Sequence, residues 1–117
     1  MDTIKIDQVQ KEIDARANKE VYIHLETTNG AYASHFNQEA YNVGAFIRNA
    51  NVSYARGKIV GAGATYRVGL KLDIGWIYAE GVNQYEIDDE GRLLMAGHDN
   101  EGRLMVALQI GEKPFTY

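Results

Sequence analysis

Hydrophobic and polar positions change their spacing once along the chain, near residue 20. Before that point apolar residues recur four apart, at Val9, Ile13 and Ala17. This spacing is typical of a helix that packs by one narrow stripe. Asp7 and Gln10 have the spacing of a capping box, in which each side chain bonds a backbone amide at the start of a helix. The pattern predicts one short helix over residues 8–17.

From residue 21 onward the spacing is two. The apolar residues Val21, Ile23 and Leu25 alternate with the polar residues Tyr22, His24 and Glu26. Such alternation indicates a strand with one buried and one wet face. Asn29-Gly30 then supplies the residues that a type I′ turn requires. The sequence therefore predicts a tight hairpin over residues 21–36.

Further strand-like stretches follow, separated by glycines, at residues 44–55, 57–72, 75–80 and 82–88. The tail contains a near-repeat, DDEGRLLMAG (88–97) and DNEGRLMVAL (99–108). Each copy is interpreted as an Asp/Asn-Glu-Gly turn that leads into a strand. We expect a mainly β fold, a small barrel-like antiparallel sheet preceded by one short N-terminal helix, because closure removes exposed strand edges.

Length and composition indicate one domain over residues 1–117. The chain has 45% hydrophobic and 24% charged residues, without a long apolar run. Its N-terminus lacks the apolar core of a secretory signal, and cysteine is absent. We therefore expect a soluble, cytoplasmic protein without a membrane partner.

Charge argues against a nucleic-acid partner. Sixteen acidic and twelve basic residues give a formal net charge of −4. The lysines and arginines are dispersed singly along the sequence, whereas a nucleic-acid surface needs concentrated positive charge.

The predicted hairpin generates one candidate metal site. A two-residue turn at Asn29-Gly30 would place His24 opposite His35, with Cβ atoms about 5 Å apart. Glu26 would lie diagonal to His35, and His98 is a possible third imidazole. Two imidazoles and a carboxylate are ligands that zinc or iron accepts. The alternative is that the two histidines are polar neighbours on a half-wet face or at a subunit interface.

Two further stretches carry weaker signals. The stretch GAGAT at residues 61–65 is similar to a phosphate-binding glycine loop, but a strand-like pattern follows it where such a loop needs a helix. Trp76 and Tyr78 share a strand face, and either core packing or the floor of a pocket or subunit contact would use them.

Two stretches, NKEVYIHLETTNGAYASHF (18–36) and DDEGRLLMAGHDNEGRLMVALQ (88–109), resemble the YojF family of small proteins from Bacillus-type bacteria. The resemblance implies a mostly β, barrel-like fold and carries no catalytic residues. It also implies genes that neighbour one for a zinc-dependent deacetylase of the kind used in bacillithiol synthesis. An accessory role beside that enzyme follows as an expectation from the resemblance.

The first hypothesis is a non-enzymatic binding or accessory protein, present as a homo-oligomer, with a small molecule or a partner enzyme as its ligand. The alternative is a metal-dependent enzyme that uses the histidine and carboxylate site of the 21–36 hairpin. His24, Glu26, His35 and His98 would then be its candidate ligands.

Overall fold

The computed structural model describes residues 1–28 and 44–116. Its elements, in chain order, are β1 (Asp2–Thr3), α1 (Ile6–Ala15), β2 (Val21–Thr28), β3 (Gly44–Val52), β4 (Arg56–Gly61), β5 (Tyr66–Lys71), β6 (Trp76–Val82), β7 (Gln84–Ile87), β8 (Leu93–His98) and β9 (Leu104–Gly111). All strand pairs between them are antiparallel. Within the described residues, no helix has the length and apolar character needed to cross a membrane.

The helix forms as predicted but starts earlier and without a capping box. It begins at Ile6, and Lys5 is the N-cap without a side-chain bond. Val9 and Ile13 are buried, which confirms the apolar stripe. Gln10 does not bond back to the helix start. It instead bonds β4, where its Nε2 donates to Gly57 O (2.9 Å) and its Oε1 accepts from Ile59 N (3.0 Å).

The larger sheet has six strands in the order β1-β7-β8-β9-β2-β3. Strand β2 lies between β9 and β3, and both of its edges are paired. Residues directly opposite one another share a face, so Ile23, Ile110 and Leu93 line up on the buried side of this sheet.

The predicted tight hairpin is therefore wrong in its pairing. His24 lies opposite Gln109 of β9, and β3 occupies the other edge of β2, where the predicted hairpin would place the strand containing His35. Asn29-Gly30 and His35 lie outside the described residues. The local signal for a turn could not reveal that strands distant in sequence pair with both edges of β2.

The smaller sheet has three strands in the order β4-β5-β6. The expected strand over residues 57–72 is two strands, β4 and β5, joined by residues 62–65. One face of this sheet is buried through Ile59, Val68, Leu70 and Ala79. These residues join one apolar core with α1 and the six-stranded sheet. The described strands form two packed sheets and no closed barrel, so the barrel-like prediction is not confirmed.

The two sheets approach most closely at a pair of glycines. A Cβ built on Gly97 of β8 would lie 2.0 Å from the carbonyl oxygen of Gly81 of β6 and 2.9 Å from Val106 Cγ1. No side chain fits there, because real Cβ atoms do not approach a backbone oxygen so closely. The chain passes from the smaller sheet to the larger one two residues after Gly81, at Asn83.

The near-repeat forms two equivalent turns, as predicted. Asp88 Oδ1 accepts from the amides of Glu90 and Arg92, and Asp99 Oδ1 accepts from those of Glu101 and Arg103, all at 2.9 Å. The glycines of the two turns adopt left-handed φ angles of 78° (Gly91) and 79° (Gly102). The first aspartate of each copy therefore organises the turn that leads into the next strand.

The glycine contact generates a stability prediction. We expect Gly97→Ala to lower the free energy of unfolding by about 3 kcal/mol, because β6 and β8 must separate to admit the methyl group. Gly63→Ala is the control: it has open space around its Cβ but a φ of 89°, so only backbone strain of about 1 kcal/mol applies. Urea denaturation measures both values. Equal losses in the two variants would contradict the close contact between the sheets.

Candidate functional site

A cavity opens beside the point where the chain changes sheets. It has a volume of about 710 Å³, and its wall includes Gly63 and Ala64 from the link between β4 and β5. Its polar lining residues are Thr3, Tyr66, Asn83, Gln84, His98, Asp99 and Asn100. We call this space the His98 cavity.

Asn83 fixes the inner wall of the His98 cavity. Its side chain bonds the backbone of His98 in both directions, with Nδ2 donating to His98 O (3.1 Å) and Oδ1 accepting from His98 N (3.3 Å). Its own backbone N–H donates to Ala96 O (2.9 Å), and its carbonyl accepts from Ile4 N (3.1 Å). The side-chain and backbone polar groups of Asn83 all have partners within the protein. The role of Asn83 is therefore to hold the wall of the His98 cavity in place.

His98 presents the unusual polar atom of the cavity. Its Nδ1 is buried and, among the described residues, has no hydrogen-bond partner. The strand register shifts between Gly97 and His98, so the side chain lies at an irregular end of β8. A buried polar atom without a partner costs about 1–3 kcal/mol. A ligand atom that bonded Nδ1, after a rotation of the imidazole that brings this atom to the cavity wall, would recover that free energy.

Asp99 is the carboxylate of the cavity, and it is already bonded within its own turn. The backbone N–H of Arg103, followed by that of Glu101 and the Arg103 side chain, lowers its pKa below the ordinary value, against some desolvation. Its Oδ2 accepts from Arg103 Nε at 3.1 Å. Asp99 is therefore an ionised but engaged group, and the other polar lining groups are amides, hydroxyls and one imidazole.

A second cluster lies around His24, on the face of the six-stranded sheet opposite the core. His24 is 7% exposed and shares this face with Glu26, as the alternation predicted. The Phe46 ring packs edge-on against the imidazole at 5.1 Å between centroids, and the Phe115 ring lies at 6.3 Å. Arg48 Nη1 lies 3.2 Å from His24 Nδ1.

A bulge in β3 aims Arg48 at His24. Opposite His24 the register skips, so that Arg48 and Asn49 together face one residue of β2. Asn49 takes the left-handed conformation, with φ 59°, that such an extra residue requires. Its side chain holds the C-terminal segment: Nδ2 donates to Phe115 O (2.9 Å), and Oδ1 accepts from Phe115 N (2.6 Å).

Three of the four predicted metal ligands lie within the described residues. His24 and Glu26 share a face, whereas His98 lies two strands away, about 10 Å across the sheet and roughly 15 Å along it. Ligands of one ion lie about 2 Å from it, so His24 and His98 cannot share a metal. His35 is outside the described residues, and residues 1–28 and 44–116 contain no group of three such side chains. The zinc or iron site stays a prediction, one that the Arg48 charge beside His24 opposes.

Sequence reasoning missed Asn83, Arg48 and Phe115. Asn83 had one usable signal, since it lies inside the expected strand 82–88 and asparagine is depleted in strands. Arg48 and Phe115 are 67 residues apart in sequence, and their guanidinium-to-ring contact (4.9 Å) depends on tertiary structure. No local pattern predicts such a contact.

Comparisons with known proteins agree with this fold. A family model described as "Protein of unknown function (DUF1806)" matches residues 3–115. The chain is 53% identical over 116 residues to the uncharacterized protein YojF of Bacillus subtilis (strain 168), covering 99% of each chain. It is also similar to the crystal structure of Bacillus subtilis YojF, with a TM-score of 0.79 and 48% identity over 98% of this chain and 96% of that one.

The environment of His24 generates a pH prediction. Burial, followed by the charge of Arg48, lowers the pKa of His24 below the ordinary 6.5, and Glu26 partly opposes this. The folded protein therefore favours neutral imidazole, so His24 contributes full stability above pH 6.5 and loses it as pH falls through 6.5 toward the lowered value.

Urea denaturation at about pH 7.5 and about pH 5.5 measures this contribution of a titrating histidine. We expect the wild type to lose more stability between the two conditions than His24→Gln, which cannot titrate. The same loss in both proteins would contradict the lowered pKa.

Proposed function

The chain belongs to the DUF1806 family, the YojF family that its sequence resembles, and from that premise we propose that it is a non-enzymatic protein that binds a small, uncharged, hydroxylated molecule in the His98 cavity. The observation that carries the proposal is the buried Nδ1 of His98 without a partner. Natural proteins rarely keep such an atom without a reason, and a functional role is one of the known reasons.

The size of the cavity supports a small-molecule ligand. Its volume of about 710 Å³ falls within the range of about 300–1,000 Å³ that is usual for ligand pockets. The wall comes from the smaller sheet at Tyr66, the junction at Asn83 and the larger sheet at His98. A site built on paired strands holds its groups more rigidly than a site on loops alone.

The chemistry of the wall supports an uncharged, hydroxylated ligand. Asp99 is neutralised by Arg103 and by backbone amides, so neither a cationic nor an anionic ligand meets a free opposite charge there. A histidine ring nitrogen such as His98 Nδ1 is a hydrogen-bond donor in one tautomer and an acceptor in the other. A hydroxyl group satisfies either form, because it both donates and accepts.

Two finer expectations extend the proposal. The family resemblance adds an accessory role beside a bacillithiol-type deacetylase, and the exposed aromatic residue Phe46 fits a homo-oligomer contact. Both stay predictions, and ligand binding in the cavity does not depend on either. The metal-dependent enzyme also stays a prediction, without a contact among the described residues that favours it.

The test uses neutral and charged probes with a matched pair of variants. We expect glucose or N-acetylglucosamine at millimolar concentration to shift the backbone amide resonances of Asn83, His98 and Asn100, and glucose 6-phosphate to leave them unchanged. His98→Leu keeps the bulk but removes the ring nitrogens, so it should lose about tenfold in probe affinity. Its free protein should be as stable as the wild type or about 1 kcal/mol more stable, because the unpaired atom is gone.

His24→Gln is the control, since it removes the other described imidazole at a distance from the cavity. It should bind the neutral probe as the wild type does. Equal binding by His98→Leu, or shifts confined to residues outside the cavity, would refute the proposal.

A further inference from the structure

The strand pairing gathers basic residues that are scattered in the sequence. On the outer face of the three-stranded sheet, Arg56 lies opposite Lys71, Lys58 opposite Gly69, and Val60 opposite Arg67. Four of the twelve basic residues of the chain thus occupy one face of one small sheet. Lysines and arginines are dispersed along the sequence, which argued against a nucleic-acid partner. The folded protein nevertheless brings four of them together on one surface.

The same face carries an exposed aromatic pair. Trp76 and Tyr78 are 42% and 54% exposed and stack on each other, with 5.5 Å between centroids and 10° between planes. Gly69 makes room for them, because a Cβ there would lie 2.9 Å from Tyr78 Cε1. Lys71 Nζ lies 5.4 Å from the centre of the Trp76 ring. The pair is therefore held on the surface beside positive charge.

An aliphatic side chain extends this face at one end. Ile74, in the turn between β5 and β6, is 89% exposed. The turn follows directly on the paired residues Lys71 and Trp76, and a bond from Leu72 N to Gly75 O closes it. Ile74, Trp76 and two cations, Lys71 and Arg56, thus lie at the same end of the sheet.

The balance of charge on this face is positive in an acidic protein. Two acids accompany the four cations: Glu80, which pairs with Arg67, and Asp73 in the turn. The local charge is about +2, whereas the whole chain carries −4. The protein therefore has one positive, partly apolar face and a more acidic remainder, which orients it toward a negatively charged surface.

We propose that the outer face of β4, β5 and β6 docks on an anionic lipid surface. Ile74 and the Trp76 ring enter the headgroup layer, and Arg56, Lys58 and Lys71 face the lipid phosphates. Tryptophan and tyrosine are favoured at the boundary between water and hydrocarbon, and nearby cations add attraction to anionic headgroups. The contact is peripheral, through a sheet face and a turn.

An anionic lipid surface would use more of the side chains on this face than a nucleic acid would. A single-stranded nucleic acid binds aromatic residues by stacking its bases on them. The Trp76 ring already stacks on Tyr78 and has Lys71 over it, and phosphates offer nothing to the aliphatic Ile74. A second copy of the chain is the remaining occupant, and the test separates it from lipid.

Vesicles test the proposal, with Trp76 as the reporter because it is the one tryptophan of the chain. We expect cosedimentation, and a blue shift of tryptophan emission, with vesicles of equal parts phosphatidylcholine and phosphatidylglycerol at low salt. Pure phosphatidylcholine vesicles should give neither, and high salt should release the protein because it screens the headgroup charge.

Single substitutions locate the contact. Lys58→Gln and Arg56→Gln should each weaken vesicle affinity about fivefold. Ile74→Ser should abolish most of the blue shift without unfolding the protein, since this side chain is exposed. Lys113→Gln, which removes the same charge outside this sheet, is the matched control and should bind as the wild type does.

Three results would overturn the proposal. The first is absence of binding to anionic vesicles at low salt, and the second is a loss in Lys113→Gln equal to that in Lys58→Gln. The third is an oligomer, seen by light scattering, that Ile74→Ser dissociates, since the face would then be covered by another copy. Quenching of Trp76 by an oligothymidylate without any response to vesicles would equally assign the face to nucleic acid.

Discussion

The close approach of two backbones, at Gly81 of β6 and Gly97 of β8, sets the arrangement of the whole molecule. The space for a side chain is absent there, since a Cβ on Gly97 would lie 2.0 Å from the Gly81 carbonyl oxygen. Two sheets that meet at this distance share one apolar core, and the chain can pass from one to the other within a single residue, Asn83. A protein interior is too densely packed to absorb an added methyl group at such a point.

The candidate site follows from the same junction. Asn83 uses both side-chain atoms to hold the backbone of His98, and the two residues line one cavity. The backbone is therefore fully satisfied, while the imidazole Nδ1 is left without a partner among the described residues. A fold that satisfies the backbone of His98 but leaves this ring nitrogen unpaired keeps a local cost in stability, as binding sites commonly do.

Local patterns in the sequence predicted the elements better than their partners. The apolar stripe at Val9 and Ile13, the alternation in β2 and the turns at Asp88 and Asp99 all depend on residues a few positions apart, and each is confirmed. The pairing of the predicted hairpin and the closure of the predicted barrel depend on which strand edges meet. No local sequence pattern determines which strands pair. For the same reason His98 was singled out for a metal site with His24, although the strand order keeps the two imidazoles apart.

The most direct test of this account is ring nitrogen NMR of the two described histidines, in the free protein and with saturating N-acetylglucosamine. Ring nitrogen shifts report whether each nitrogen is protonated or accepting a hydrogen bond. If the ligand contacts Nδ1, the Nδ1 resonance of His98 moves when the protein is saturated with the sugar, while both ring nitrogens of His24 stay unchanged. A His98 ring that keeps its free-state resonances in the presence of the saturating sugar would contradict a ligand contact at Nδ1 and, with it, the assignment of the cavity as the binding site.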